Sequence, residues 1–290
     1  MASSRILPEF ELLLPQTIEE AVSLLAKYKG KAAVMAGGTD LIVSMTKGIA
    51  PDYVISLAEI PDLDYVSYTK TKGLRIGAMA TLSKVADTPE VQEKYPALWK
   101  AAAINGTPQT RNMGTVVGNL LRASPSGDPC CAILAIGGGV VLEGPKGKRE
   151  VSIDDFFLKY RVTARQPDEL AIEVKLPPIS NGICSAFQKM KRVTLDLAKV
   201  NAAVRLDMSG KTCKEARIAM GAVAPIPIRL KKSEALLKNV PITDTILKKV
   251  AETVPTEISP IDDVRSTAEY RREVSGILVK RVIEEACSGK

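Results

Sequence analysis

The stretch VMAGGTDL, residues 34–41, sets Gly37, Gly38 and the hydroxyl of Thr39 directly after a short apolar run and ahead of a segment with helical character. The run KAAVMA, residues 31–36, reads as a buried strand. The glycines therefore stand at the C-terminal end of a strand, which is where α/β folds place their ligands. Two adjacent glycines let consecutive backbone N–H groups converge on an anion without a Cβ in the way. Thr39 adds a donor, and Asp40 is expected to cap a helix that begins at Leu41. The spacing is neither GxGxxG nor GxxxxGK[ST]. Taken alone, the motif supports two readings, a phosphate-binding turn and a plain tight turn.

The flanking elements give an α/β order. FELLL, residues 10–14, reads as a strand, and Thr17 with Glu20 forms a capping box for a helix that ends at Gly30. Its apolar face is Ile18, Ala21, Val22, Leu25 and Ala26, at helical spacing. DYVISL and LRIGAMA are expected strands; helices are expected from Thr81 and around Trp99. VVLEG and KREVS flank a turn, SIDDFF is a short helix capped by Ser152, and ELAIEVKLP is a further strand. From residue 185 the pattern becomes antiparallel, in SAFQKMKR, AKVNAAVRLDM and KEARIAMGAV, with MSGK as a hairpin turn. Helices close the chain, the last with an expected face of Tyr270, Val274, Ile277, Leu278, Arg281 and Val282. The Pro- and Gly-rich LPPISNG near residue 180 marks a domain boundary, and no internal repeat is visible.

Composition narrows the chemistry. The chain holds no histidine, which removes Ser-His-Asp and Cys-His catalysis together with the commonest metal ligand. Its five cysteines contain no CxxC pair, so neither a cluster cradle nor a disulfide framework is encoded. Cys130 and Cys131, adjacent in an apolar stretch, read as packing. Any chemistry would then be borrowed from a cofactor, and no residue is assigned a catalytic or metal-binding role. The net charge of +7 is scattered in short clusters with only 4% aromatic residues, which argues against nucleic acid. No apolar run reaches the roughly 20 residues needed to span a bilayer, and MASSRILPEF lacks a signal-peptide core. The expectation is a cytoplasmic protein.

A second loop repeats the logic of the first. TPQTRNMGTVVGNLLRASPSGDP, residues 107–129, shows little periodicity and reads as one long functional loop. It carries Gly114, Thr115, Gly118 and Asn119, then Asp128, an acceptor suited to ribose hydroxyls or an adenine amine. Two such loops can grip both ends of a dinucleotide; a Gly-rich surface crossing is the plain alternative.

In order and spacing, AGGTDL, TRNMGTVVGN, ASPSGDP, FQKMKR, GAVAPIPIR and STAEYRREV resemble the FAD-binding medium subunits of the molybdenum hydroxylases, relatives of xanthine dehydrogenase and carbon monoxide dehydrogenase. The likeness runs from Pro15 to about Ala286. It implies an α+β fold: a vanillyl-alcohol-oxidase-type FAD-binding domain of two α/β lobes, residues 1–180 (small lobe about 1–60, larger lobe about 61–180). A C-terminal antiparallel sheet packed with helices would follow over 181–290. The resemblance further implies that Ala33, Val34, Met35, Ala36, Gly37, Gly38, Thr39, Asp40 and Leu41 lie on the FAD pyrophosphate. Gly114, Thr115, Gly118, Asn119 and Leu120 would line the cofactor near the flavin and its phosphates. Asp128 would contact the adenosine half with Ser124 close by, and Lys189 would reach toward the flavin. The chain departs from the family at Val117, where glycine is usual; the added side chain is expected to weaken or reorient flavin binding.

The function implied is an electron-transfer subunit of an oxidoreductase complex. It would accept electrons from the two iron–sulfur clusters of a small subunit, beside a large molybdopterin subunit, in a hetero-oligomer such as a dimer of heterotrimers. NAD, oxygen, a quinone or a carrier protein would take the electrons onward. Two alternatives stand beside it: a stand-alone FAD-dependent oxidoreductase, and a FAD-free assembly protein of the same fold.

Overall fold

A computed structural model describes residues 7–288. Part of the N-terminal stretch MASSRILPEF and the ends of both expected domains, residues 1–6 and 289–290, lie outside it. The chain begins with strand β1 (Glu11–Leu13), helix α1 (Ile18–Lys27), β2 (Ala32–Met35), α2 (Leu41–Met45) and β3 (Tyr53–Ser56). The strands form a parallel sheet in the order β1-β3-β2. The cap of α1 is built as its sequence requires: Thr17 Oγ1 accepts from Glu20 N at 3.1 Å. The Glu20 carboxylate reaches one residue further back than the box pattern, to Gln16 N at 2.8 Å. Ala21, Val22 and Leu25 are its buried face, and Gly30 takes the left-handed φ of +82°.

The second lobe is a five-stranded antiparallel sheet backed by helices. Its elements are β4 (Val66–Thr69), β5 (Gly73–Gly77), α3 (Leu82–Asp87), α4 (Pro89–Lys94), α5 (Pro96–Ala103), α6 (Pro108–Met113), α7 (Val116–Arg122) and α8 (Asp128–Ile136). They are followed by β6 (Gly139–Gly144), β7 (Gly147–Ser152), α9 (Ile153–Phe156), the hairpin β8 (Phe157–Lys159) and β9 (Val162–Thr163), and β10 (Leu170–Leu176). The sheet order is β4-β5-β10-β6-β7.

The segment 107–129, expected as one long loop, is instead two short helices and the start of a third. Thr107 and Thr115 cap α6 and α7 by accepting from Thr110 N at 3.2 Å and Gly118 N at 3.0 Å. Helices of 6 and 7 residues are too short to show an apolar stripe, so they depend on capping and packing. Helix α8 escapes pattern reading for the opposite reason. All nine of its residues are buried, and an apolar surface on every side has no periodicity.

The C-terminal part is the antiparallel sheet β11 (Ile183–Met190), β12 (Val200–Ser209), β13 (Thr212–Gly221) and β14 (Ile228–Arg229), with α10 (Lys231–Leu237), β15 (Val240–Pro241), α11 (Asp244–Thr253) and α12 (Ala268–Ser288). The hairpin between β12 and β13 turns at Gly210, φ +58°. Helix α12 is buried through Arg271, Ser275, Gly276, Leu278, Val279, Val282, Ile283 and Ala286. Tyr270, Ile277 and Arg281, expected on its inner face, are exposed. The buried apolar residues Leu278, Val279, Val282, Ile283 and Ala286 set the inner face, and Arg271 shares it because its guanidinium is satisfied by the Ile261 carbonyl at 2.9 Å and Asp263 at 2.8 Å.

Candidate functional site

The first glycine loop leaves β2 and packs directly on the second. A Cβ on Gly37 would lie 1.6 Å from the carbonyl oxygen of Met113, so only glycine permits this approach. Gly38 has φ +70°, a left-handed conformation that side chains disfavour. A Cβ on Gly114 would lie 3.3 Å from the Thr39 hydroxyl oxygen, so Thr39 meets the second loop at its glycine. The backbone N–H groups of Gly37, Gly38, Thr39 and Asp40 donate to no group among the described residues. A row of unspent amides at a strand end is the donor set an anion requires.

Asp40 does not cap α2: its side chain makes no capping hydrogen bond. It pairs instead with Arg122, at 3.1 Å, at the far end of α7. Ala33, Val34 and Met35 are strand residues held by β3, Ala36 follows them, and Leu41 opens α2. They carry the loop.

The second loop is stapled to the body of the lobe. Leu82 N donates to Gly114 O at 2.8 Å and Val116 N to Ala80 O at 3.3 Å. Thr115 is buried, its hydroxyl committed to Gly118 N. Leu120 and Val117 are 0% and 1% exposed in the lobe's core. Val117 takes an ordinary helical conformation, which any L-residue adopts, so this position makes no demand for glycine. Asn119 faces the next turn, where its side-chain oxygen would lie 3.1 Å from a Cβ on Gly127 and accepts from Cys130 Sγ at 3.3 Å. Burial pushes the Cys130 and Cys131 thiols up, which leaves both as packing groups.

Beyond α7 the chain turns sharply. Ala123, fully buried, is left-handed at φ 46°, a conformation that costs about 1–2 kcal/mol outside glycine. Ser124 and Ser126 then share a hydroxyl contact of 3.2 Å. Asp128 starts α8 and is ion-paired with Lys189 on β11 at 2.6 Å; the two side chains are 4% and 2% exposed. Lys189 also donates to Ile104 O at 3.1 Å, and Asn201 on β12 donates to the other Asp128 oxygen at 2.8 Å. Burial pushes the Asp128 carboxyl up, while Lys189 and Asn201 act in the opposite sense. The predicted residues thus form one contiguous chain of contacts, from Gly37 through Gly114 and α7 to Asp128 and Lys189.

Sequence reading missed Arg122, the Met113 carbonyl and Asn201. Arg122 and Met113 act through tertiary contacts that no spacing encodes. Asn201 did leave a signal, as the one polar residue in the apolar run VNAAV, residues 200–204. A cavity of about 790 Å3 lies elsewhere, lined in part by Thr17, Tyr65, Arg75, Glu173 and Lys175. None of the candidate residues lines it, and its cations are paired with neighbours: Arg75 with Glu173, Lys148 with Glu143, Arg149 with Glu169 and Lys175 with Glu150. Among the described residues no group of three His, Cys, Asp or Glu side chains is placed to hold a metal, and no helix is long and apolar enough to cross a membrane.

Comparison with known proteins identifies the family. Residues 8–179 match the family described as the FAD binding domain in molybdopterin dehydrogenase, and residues 185–286 match the CO dehydrogenase flavoprotein C-terminal domain. The carbon monoxide dehydrogenase medium chain of Hydrogenophaga pseudoflava is 33% identical over 280 residues, 96% of this chain and 97% of that one. The nicotinate dehydrogenase FAD-subunit of Eubacterium barkeri is 32% identical over 286 residues, 95% and 96% of the two chains. A solved chain of the Hydrogenophaga pseudoflava carbon monoxide dehydrogenase superposes with a TM-score of 0.94 at 33% identity, covering 98% of this chain and 99% of that one. With both of its parts matched in order and its fold shared along the whole length, this chain belongs to the FAD-binding subunits of the molybdopterin dehydrogenase family.

Proposed function

We propose that this chain holds FAD along the two glycine loops and the Ser124–Asp128 turn, and relays electrons within an oxidoreductase complex. The observation that carries the reading is the contact of Gly37 with Met113, which sets four unspent N–H groups beside the second loop. That donor set fits a pyrophosphate, since oriented amides at fixed spacing bind anions without a counter-charge. Bound FAD supplies the redox chemistry of its isoalloxazine ring. The protein's own work is to bind and orient. Gly37, Gly38, Thr39 and Asp40 would offer backbone donors. Gly114, Thr115, Gly118 and Asn119 would form the facing wall, with Leu120 and Val117 anchoring α7 behind it. Ser124, Asp128 and Lys189 would close the far end. A division near residue 180, into a FAD-binding part and a C-terminal domain, is supported by the change of sheet there.

The medium-chain and FAD-subunit names of the relatives support a place beside a large molybdenum-cofactor subunit and a small iron–sulfur subunit, in a hetero-oligomer. With no histidine, no metal-holding cluster among the described residues and only free cysteines, the chain's own residues suit a relay better than substrate oxidation. The free thiols also support a cytoplasmic setting. Mass spectrometry of the flavin released from purified native complex tests the reading. One FAD per chain, with a large and a small subunit co-purifying, is the expected result; a flavin-free complex overturns it.

A further inference from the structure

Lys189, Asn201 and Gly221 stand side by side across β11, β12 and β13, each paired with the next in register. This row receives the turn that leads into α8. Lys189 and Asn201 take one Asp128 oxygen each, at 2.6 and 2.8 Å. At Gly221 the space of a Cβ is already occupied, 2.3 Å from Asn201 Oδ1 and 2.6 Å from Pro125 O. The next residue, Ala222, donates its N–H to that Pro125 carbonyl at 2.6 Å and is left-handed at φ 61°. Three strands of the C-terminal sheet thus template the Ser124–Asp128 turn of the FAD-binding part.

Within that row Asn201 is the unusual member. It is 0% exposed, and its Oδ1 has no hydrogen-bond partner among the described residues. Burying an unpaired amide oxygen is costly, and strand β12 is otherwise apolar around it. Packing alone would favour a leucine of similar size. Among the described residues, the side-chain amide's one hydrogen bond is the N–H it gives Asp128.

We propose that Asn201 is a positioning residue of the cofactor site, holding the buried Asp128 carboxylate ionised and in one orientation through its side-chain N–H. The inference rests on the reading that the Ser124–Asp128 turn binds FAD. Lys189 alone would leave Asp128 Oδ1 without a partner among the described residues, on a side chain that is 4% exposed. The charged groups that face Asp128 are Lys189 and, at longer range, Lys191 on the β11 side; on α8 it faces only the thiols of Cys130 and Cys131. Asn201 therefore supplies the second donor that lets the charge persist.

The test is FAD re-binding to the flavin-depleted complex, followed by flavin fluorescence between about pH 5 and 9 in wild type, Asn201→Leu and Asn201→Asp. Wild type should bind evenly across the range. Asn201→Leu removes a donor to the charged form, so Asp128 takes up a proton more readily. Its affinity should fall about tenfold, and fall further as pH is lowered. Asn201→Asp, equal in shape, sets a second carboxyl beside Asp128. The two acids then share a proton at low pH and repel at high pH, so affinity should fall as pH is raised, the opposite slope. In an Asp128→Asn background the Asn201→Leu effect should vanish. Loss of affinity by one factor at every pH, or wild-type profiles in both variants, overturns the proposal. If wild type binds no FAD, the functional reading fails instead. The Asp128 carboxyl infrared band of the flavin-free protein, assigned with Asp128→Asn, then still reports whether Asn201→Leu raises its titration. An unmoved titration overturns the positioning role independently.

Discussion

Gly37 and Met113 are 76 positions apart in sequence, yet the glycine's missing Cβ is the space that the methionine's carbonyl fills, 1.6 Å from where that carbon would lie. The two loops that carry the functional reading are therefore one structural unit. Neither can shift without the other.

Replacing Gly37 with alanine forces the loops apart, because the obstacle is backbone and has no rotamer to yield. Overpacking of this kind costs about 1–3 kcal/mol. Gly38→Ala meets only side-chain atoms at ordinary contact distance, the Met35 sulfur at 3.4 Å and Ile42 Cγ1 at 3.5 Å, so its cost is the left-handed backbone, about 1–2 kcal/mol. Equal stability losses with very different flavin retention are expected. Gly37→Ala should lose FAD on gel filtration, and Gly38→Ala should keep a substantial share. Full retention by Gly37→Ala would separate the loop contact from the cofactor site.

Thr115→Val removes the hydroxyl that caps α7 while keeping the side chain's shape and burial. The loss should be about 1 kcal/mol in urea unfolding. Thr243 makes the same kind of cap on α11, accepting from Ile246 N at 3.4 Å, in the C-terminal part of the chain. Thr243→Val should cost no more and leave FAD affinity untouched, whereas Thr115→Val should weaken it several-fold. Matching flavin effects would mean that α7 acts on the cofactor only through global stability.

The first lobe was legible because its elements are amphipathic and capped: Thr17, the Ile18–Lys27 face and Gly30 each state their role in sequence. The segment 107–129 was legible as a site and illegible as structure. Its glycines and hydroxyls marked chemistry, but α6 and α7 are too short for periodicity and α8 is apolar on every side. Asp40 was misread because a local cap and a distant arginine compete for the same carboxylate, and Arg122 reaches it only once α7 exists. Asn201 and Gly221 needed the sheet register, which a sequence of alternating apolar residues leaves open to slippage.

Acid should weaken the fold through Glu169. Arg149 grips its carboxylate with two hydrogen bonds, at 2.6 and 2.8 Å, and Gln166 N adds a third at 2.7 Å. The Arg149 hydrogen bonds, against a smaller opposing effect of burial, hold Glu169 below its ordinary value of 4.5. A depressed acid stabilises the fold above its unfolded pKa, and that contribution fades as pH falls through the folded value. Urea midpoints should therefore drop on acidification below about pH 4.5. In Glu169→Gln the midpoint should be lower at neutral pH and fall less steeply in acid. An unchanged acid slope would place the loss on other carboxylates.

The last prediction concerns the other end of α8. Arg217 on β13 donates to the Ala135 and Leu134 carbonyls, both at 3.0 Å, and to Asp154 at 2.9 Å. Arg205 on β12 reaches the Ile136 carbonyl at 3.4 Å. These are the unsatisfied carbonyls of a helix C-terminus, where the dipole also favours a cation. With nine residues, α8 is a rod about 14 Å long. The C-terminal sheet grips it at both ends: Lys189 and Asn201 hold Asp128, and Arg217 and Arg205 hold the far carbonyls. Arg217→Met keeps the aliphatic stem and removes every donor, so it should cost about 1.5–3 kcal/mol in urea unfolding. Arg217→Lys restores the charge without the fork and should recover less than half of that loss. Because the rod transmits the loosening to the Asp128 turn, FAD dissociation from Arg217→Met should quicken several-fold, with no change in its pH dependence. That last feature separates the two ends: Asn201 acts on the charge of Asp128, and Arg217 acts on where the helix lies. A pH-dependent flavin release in Arg217→Met would show that the two grips are not independent.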